Sequence, residues 1–133
     1  MGTPKRIEYL GGCHCGAVRF SVMAPSELKI LDCNCSMCRM LGYQHLIVSA
    51  DDFTLLNGEE TLSEYRFNSE IARHLFCREC GIKSFYVPRS HPDGFSVNYC
   101  CLDPGQVGEV SHQAFDGANW EDAITGLQED EAS

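Results

Sequence analysis

The sequence predicts a small, mostly β domain that bound metal cross-links, and three observations support this. Short segments of alternating apolar and polar residues, separated by turn-forming residues, run through most of the chain. Helical patterns are few and short. Nine cysteines occur in 133 residues, and seven of them fall into tight clusters. A chain of this length forms one domain by default, and short strands need cross-links beyond their own core.

The predicted strands are short and follow one another along the chain. They have alternating or β-branched character and lie at residues 18–22, 28–30, 45–49, 65–67, 71–76, 83–87 and 95–99. Turn formers separate several of them, namely Asn57-Gly58, Asn68-Ser69, Gly81 and Pro92-Asp93-Gly94. The order of strands and turns predicts small antiparallel sheets.

Two short helices complete the predicted elements. One covers residues 36–41 around Cys38, and the other is a C-terminal helix that begins near Asn119, with Asp122 three residues later. Trp120 is expected to pack this last helix onto the sheets. The final residues, 126–133, are acidic and carry nothing apolar to bury, so we expect a disordered tail after a single domain at residues 1–125.

The charge of the chain limits its partners. The formal net charge is −9, which disfavours direct binding to a nucleic-acid backbone. No apolar run is long enough for a membrane helix, and the first residues lack the apolar stretch of a secretion signal. We therefore expect an intracellular protein, cytoplasmic or nuclear or both, whose thiols meet a reducing environment and which has no membrane partner.

The cysteines are better suited to metal than to disulfides. Their number is odd, and the clustered ones lie only one or two residues apart. Zinc takes about four ligands in a tetrahedron, and a tight loop with two thiolates supplies half of such a site. Cys13 and Cys15 form one such half and Cys77 and Cys80 form another. Together they predict a closed structural zinc site.

The remaining triplet, Cys33, Cys35 and Cys38, has no obvious fourth ligand. Three protein ligands and an open position are typical of a catalytic zinc. One alternative is a closed second site, with Cys100, Cys101 or a histidine as fourth ligand. Another is a different pairing, in which cysteines of this triplet and of the first site share their metal ions in another combination. Cys100 and Cys101 end an apolar segment, so we expect at least one of them to be a buried core thiol.

These clusters, in this order and with these gaps, resemble the glutathione-dependent formaldehyde-activating enzyme family, and within it the branch that contains centromere protein V. The resemblance implies a β-tent of two small antiparallel sheets clamped by zinc. It also implies a structural zinc on Cys13, Cys15, Cys77 and Cys80 and a second zinc on Cys33, Cys35 and Cys38. The matching motifs span about residues 7–125 and are Gly11-Gly12-Cys13-His14-Cys15-Gly16-Ala17-Val18-Arg19-Phe20, Asp32-Cys33-Asn34-Cys35-Ser36-Met37-Cys38, Phe76-Cys77-Arg78-Glu79-Cys80-Gly81, Ser84-Phe85-Tyr86-Val87-Pro88-Arg89-Ser90 and Cys101-Leu102-Asp103.

The activity that the resemblance implies is the joining of formaldehyde to glutathione, a small aldehyde and a small thiol, as S-hydroxymethylglutathione, which is classed as carbon-sulfur lyase chemistry. Zinc would favour the thiolate or polarise the aldehyde. Three thiolates on Zn²⁺ leave a negative charge, and Arg39 is the first candidate to offset it. Arg39, Arg73 and Arg89 are candidates to bind the glutathione carboxylates. His45 and Tyr43 are candidate proton donors.

A second hypothesis is a zinc-stapled binding or scaffold protein without turnover. A scaffold has no need for an open position on the second zinc. Closure of that site by Cys100, Cys101 or a histidine would therefore favour binding over catalysis. Thiol redox chemistry is a weaker third hypothesis, because thiolates that hold zinc are occupied.

Overall fold

The computed structural model describes residues 6–34, 36–66, 72–88, 91 and 93–115. Within these ranges the fold is mostly β, which confirms the predicted class, and its single α-helix, α1, is Ser36–Leu41. The predicted C-terminal helix and acidic tail lie outside the described residues. The strands are β1 Arg6–Gly12, β2 Arg19–Pro25, β3 Glu27–Cys33, β4 Gln44–Ser49, β5 Phe53–Asn57, β6 Leu62–Tyr65, β7 His74–Cys77, β8 Phe85–Tyr86, β9 Gly94–Asn98 and β10 Glu109–Phe115.

The strands of the described residues form two main sheets and a hairpin. The first sheet has the order β1-β2-β5, the second has the order β10-β3-β4-β9-β8, and β6 pairs with β7. Every pairing is antiparallel except that of β10 with β3, which is parallel. The expectation of small antiparallel sheets is therefore confirmed, with one parallel pair added at an edge.

One hydrophobic core joins the two main sheets. On β3, Leu28 and Ile30 are fully buried while Glu27 and Lys29 are exposed, as the alternation predicts. Phe20 of β2 stacks on Phe53 of β5, with ring centroids 5.6 Å apart. Other fully buried members are Tyr9, Val18, Val22 and Val97. The core also contains Cys13, which follows β1, and Cys77, which ends β7, and both are predicted metal ligands.

Some predicted strands are shorter in the structure. Residues 83–87 form only the short strand β8, although Lys83 and Ser84 are buried beside it. Residues 71–76 correspond to β7, which runs from His74 to Cys77. In the described part of the chain, 3₁₀ turns interrupt the strands at Ala50–Asp52, Glu59–Thr61 and Tyr99–Cys101. Among the described residues, no helix has the length and apolar character needed to cross a membrane.

Candidate metal centres

Four thiols meet where β1 and β7 end, and we call this group the four-cysteine cluster: Cys13, Cys15, Cys77 and Cys80. All four sulfur atoms lie within 4.8 Å of one another. The Cys13 and Cys15 sulfurs are 3.6 Å apart, and those of Cys15 and Cys77 are 3.7 Å apart. Ligands at about 2.3 Å from a tetrahedral zinc are about 3.8 Å from each other, so the cluster has the right size for that ion.

The two half-sites are shaped by tight turns. Gly81 adopts a positive φ of 79°, and its N–H donates to the Cys77 carbonyl at 2.7 Å, which folds the chain back after the second thiol pair. On the other side, the Val18 N–H donates to the Cys13 sulfur at 3.3 Å. The sequence prediction that these four cysteines come together is matched by this geometry.

The close packing of these thiols gives them different pKa values. Burial raises the pKa of Cys80, but backbone N–H groups and neighbouring thiols of the cluster outweigh it and lower that pKa to about 6. At Cys15 a backbone hydrogen bond with Ala17 lowers the pKa, whereas burial and hydrogen bonds with the other cluster thiols raise it to about 11. Because one thiolate makes the next harder to form, a divalent cation is the natural means of ionising all four.

A second cluster consists of Cys33, Cys38 and His45, whose ligand atoms also lie within 4.8 Å of one another. Cys33 ends β3, Cys38 lies in α1, and His45 lies in β4. The Cys38 sulfur is 3.1 Å from His45 Nε2, and these side chains are 3% and 4% exposed. Cys35, the third predicted ligand, is outside the described residues. The donor set of thiols and imidazole suits zinc.

His45 is held from its other side by polar groups. Its Nδ1 is 2.8 Å from Ser96 Oγ and 3.3 Å from the Tyr86 hydroxyl. The Tyr43 hydroxyl donates to the Ser96 carbonyl at 2.8 Å. Burial raises the pKa of Tyr43 well above its usual value, so this phenol keeps its proton. Metal-binding histidines are commonly oriented in this way by a partner of the second ring nitrogen.

From the sequence, His45 is a candidate proton donor, and nothing in its motif assigns it to the second cluster. His45 is seven positions after Cys38, and β4 holds it opposite Leu31 of β3. No local motif marks this position, because the approach depends on strand pairing. The pairing of β3 with β4 is the signal that could have identified it.

The predicted glutathione-binding arginines are in different settings. Arg39 is exposed in the last turn of α1, next to Cys38. Arg73 forms an ion pair with Glu64 at 2.5 Å, beside a groove of about 440 Å³. Arg89 lies outside the described residues. Arg39 is therefore the described arginine that adjoins a cysteine of the second cluster.

Cys100 and Cys101 belong to neither of the clusters that the described residues form. Cys100 is exposed and Cys101 is partly buried, and burial raises the pKa of Cys101 to about 12, with the charges of Cys100, Cys13 and Cys80 acting in the same direction. Cys101 is therefore a protonated thiol near the four-cysteine cluster.

Known proteins resemble this chain in sequence and in fold. A family model described as glutathione-dependent formaldehyde-activating enzyme matches residues 8–116. A provisionally named glutathione-dependent formaldehyde-activating enzyme of Halomonas elongata is 37% identical over 79 residues, which cover 53% of this chain and 50% of that protein. The crystal structure of a Rhodobacter sphaeroides protein has 36% identity and a TM-score of 0.64, covering 78% of this chain and 99% of that one.

The match in sequence extends over most of the residues that build the fold. It includes both cysteine clusters, together with the strands that carry them. The chain spans about half the length of the curated relative it matches. Because the family model covers well over half of the chain, this protein belongs to the glutathione-dependent formaldehyde-activating enzyme family.

Proposed function

We propose that this chain is a zinc enzyme that adds the thiol of glutathione to formaldehyde and forms S-hydroxymethylglutathione. In this reaction a carbon-sulfur bond forms, the carbon-oxygen π bond breaks, and the thiol proton ends on the former carbonyl oxygen. No oxidant or reductant is needed. The reverse reaction is a carbon-sulfur lyase reaction, which is the class that we assign.

The observation that carries this proposal is the second cluster. Its thiol and imidazole groups converge within 4.8 Å, and their exposure is uneven. Cys38 and His45 are buried, whereas Cys33 is partly exposed. A small thiol would therefore reach the cluster most easily at Cys33, its most exposed member.

Cys33, Cys35 and Cys38 would hold the zinc, which when bound favours the thiolate form of a thiol at neutral pH. His45 would move the proton. If its Nδ1 accepts the Ser96 hydroxyl proton across their 2.8 Å contact, its Nε2 carries a proton on the side of Cys38. A donor at that position can neutralise the oxygen that becomes negative as the carbon-sulfur bond forms.

Arg39 would bind a carboxylate of glutathione. Its position in α1, one residue after Cys38, lets a bound thiol and a bound carboxylate belong to the same peptide. Arg89 remains a prediction of the sequence. Arg73 would have to exchange Glu64 for a substrate carboxylate. We also propose that the four-cysteine cluster holds a structural zinc and that the protein works in a reducing compartment, the cytoplasm or the nucleus.

A second candidate function follows from His45. If its Nδ1 donates to Ser96, the Nε2 lone pair faces the cluster and can complete a four-ligand site with the three cysteines. A closed site favours a zinc-stapled binding protein of the kind that the centromere protein V branch suggests. The two functions therefore differ in what His45 Nε2 does.

Zinc stoichiometry and exchange kinetics test the proposal together. Native mass spectrometry of the wild type should give two zinc ions, and exchange NMR should show faster equilibration of formaldehyde with glutathione than buffer alone. Cys35→Ser should retain one zinc and lose the acceleration. His45→Gln should keep both zinc ions and slow the catalysed exchange by about a hundredfold.

His91→Gln is the matched control, since this partly exposed histidine is in neither cluster. It should keep both zinc ions and full acceleration. If the wild type holds two zinc ions but does not speed the exchange of formaldehyde with glutathione above its rate in buffer, the proposed enzymatic function is overturned. Loss of the second zinc in His45→Gln would support the closed site and the binding protein.

A further inference from the structure

A lysine side chain is buried near the second cluster, at a position that no sequence motif marks. Lys83 is only 6% exposed. Its Nζ lies 2.6 Å from His74 Nδ1, 3.8 Å from the ring centroid of Tyr86 and 5.1 Å from that of Tyr43. Both distances to the rings are within the range of cation–π contacts.

The rings of Tyr43 and Tyr86 lie between the Lys83 amine and the cluster thiols. Cys38, Tyr43 and Tyr86 form one buried group, and Cys33 packs against it. The ring of His45 lies 4.5 Å from that of Tyr43 and 5.7 Å from that of Tyr86, centroid to centroid. A layer of aromatic rings therefore contacts Lys83 and the second cluster at once.

The charge of the cluster explains why a cation would be useful here. Three thiolates and Zn²⁺ carry a net charge of −1, and Cys38 and His45 are almost completely buried. A buried charge is costly unless an opposite charge lies nearby, and charges interact more strongly where water is excluded. The exposed Arg39 is screened by water and salt, whereas Lys83 is not.

We propose that Lys83 is the buried counter-charge of the second cluster, a positioning residue that raises the metal affinity of Cys33, Cys35 and Cys38. This rests on the proposed function in one respect, namely that these cysteines hold a metal ion. Lys83 acts through the field that it sets up across Tyr43 and Tyr86 and does not touch the substrate.

The test uses the full chain loaded with Cd²⁺, titrated with a competing chelator and followed by native mass spectrometry and by thiolate-to-metal absorption. Cys35→Ser assigns which of the two release steps belongs to the second cluster. Lys83→Met removes the charge and keeps an unbranched apolar side chain. It should weaken the second site about tenfold or more and leave the four-cysteine cluster within twofold.

Three further measurements separate this role from packing. Lys83→Arg, which keeps the charge, should retain most of the affinity. Lys29→Met, at an exposed lysine of β3, should change neither site. Melting is compared in the Cys35→Ser background, in which the four-cysteine cluster keeps its metal ion: adding Lys83→Met should leave the melting temperature unchanged or raise it, since replacing a buried charge by an apolar group is often neutral or stabilising.

An unchanged second-site affinity in Lys83→Met overturns the inference. Equal weakening of both sites, or a lower melting temperature with no selective loss at the second site, identifies Lys83 as a packing residue and also overturns it. A wild type that binds only one metal ion contradicts the proposed function itself. A two-metal wild type with an unaffected variant contradicts the role of Lys83 alone.

Discussion

A two-pronged ion pair joins Arg19, at the start of β2, to Asp103, which follows the last 3₁₀ turn. The two guanidinium nitrogens donate to the two carboxylate oxygens at 2.9 and 2.6 Å. The hydrogen bond from Arg19 lowers the pKa of Asp103 below its usual value, although burial acts in the opposite direction. The native pKa therefore lies below that of the unfolded chain, and the ionised carboxylate stabilises the fold above both values.

Arg19→Met should reduce the free energy of unfolding at pH 7 by about 1 kcal/mol or less, because both partners are partly exposed. The difference from wild type should shrink as the pH falls through the native pKa of Asp103, where the carboxylate of the folded protein gains its proton. Urea unfolding at a series of pH values measures this. The exposed Arg78→Met is the control, and an equal loss there would contradict a specific pair.

At the scale of elements, patterns within one segment predict strands well when one face is buried. β2, β3, β4 and β9 lie where alternation or β-branched character predicts strands. β1, β5 and β10 were not among the predicted strands. In β10 the residues of both faces are exposed or only partly buried, so its sequence carries little alternation, and its place depends on parallel pairing with β3. Such a pairing between distant segments is not predicted by the pattern within one segment.

The turn after β5 depends on a glycine, Gly58, which can be tested by substitution. Gly58 has a φ of 99°, and a Cβ atom there would lie 2.4 Å from the Ala17 carbonyl oxygen. Gly58→Ala should therefore lower the free energy of unfolding by about 2 kcal/mol or more, since both the backbone and the neighbouring chain resist the added carbon.

Gly108→Ala is the matched control for this turn, because an added Cβ at Gly108 meets no atom within 4 Å. Its effect on urea unfolding should stay within about 0.5 kcal/mol. Equal stability of the two variants would contradict the close approach of the Gly58 turn to Ala17.

At the scale of the molecule, the four-cysteine cluster joins distant parts of the chain. Cys15 and Cys77 are 62 residues apart in sequence, and Cys13 and Cys77 are buried in the main core. A metal ion on these thiols would close a long loop, and a cross-link of this kind stabilises by restricting the unfolded chain. The proposed structural zinc is thus expected to dominate the thermal stability.

Cys77→Ser should lower the melting temperature of the zinc-loaded protein by about 10 °C or more and remove one zinc ion. Cys100→Ser, at an exposed thiol outside both clusters, should leave the melting temperature and the zinc content unchanged. Differential scanning calorimetry with native mass spectrometry makes both measurements. A Cys77→Ser protein that melts at the wild-type temperature would contradict a structural metal.

The sequence by itself determined the class of the fold, the strands β2, β3, β4 and β9, and the two sets of cysteines, because residue patterning and ligand spacing are local properties that a few consecutive residues express. Only the tertiary structure brought His45 to Cys38 and Lys83 to the aromatic layer behind them. The physical reason is that strand pairing and core packing decide which buried imidazole and amine groups lie against the thiols and the aromatic rings, and spacing along the chain does not fix these contacts.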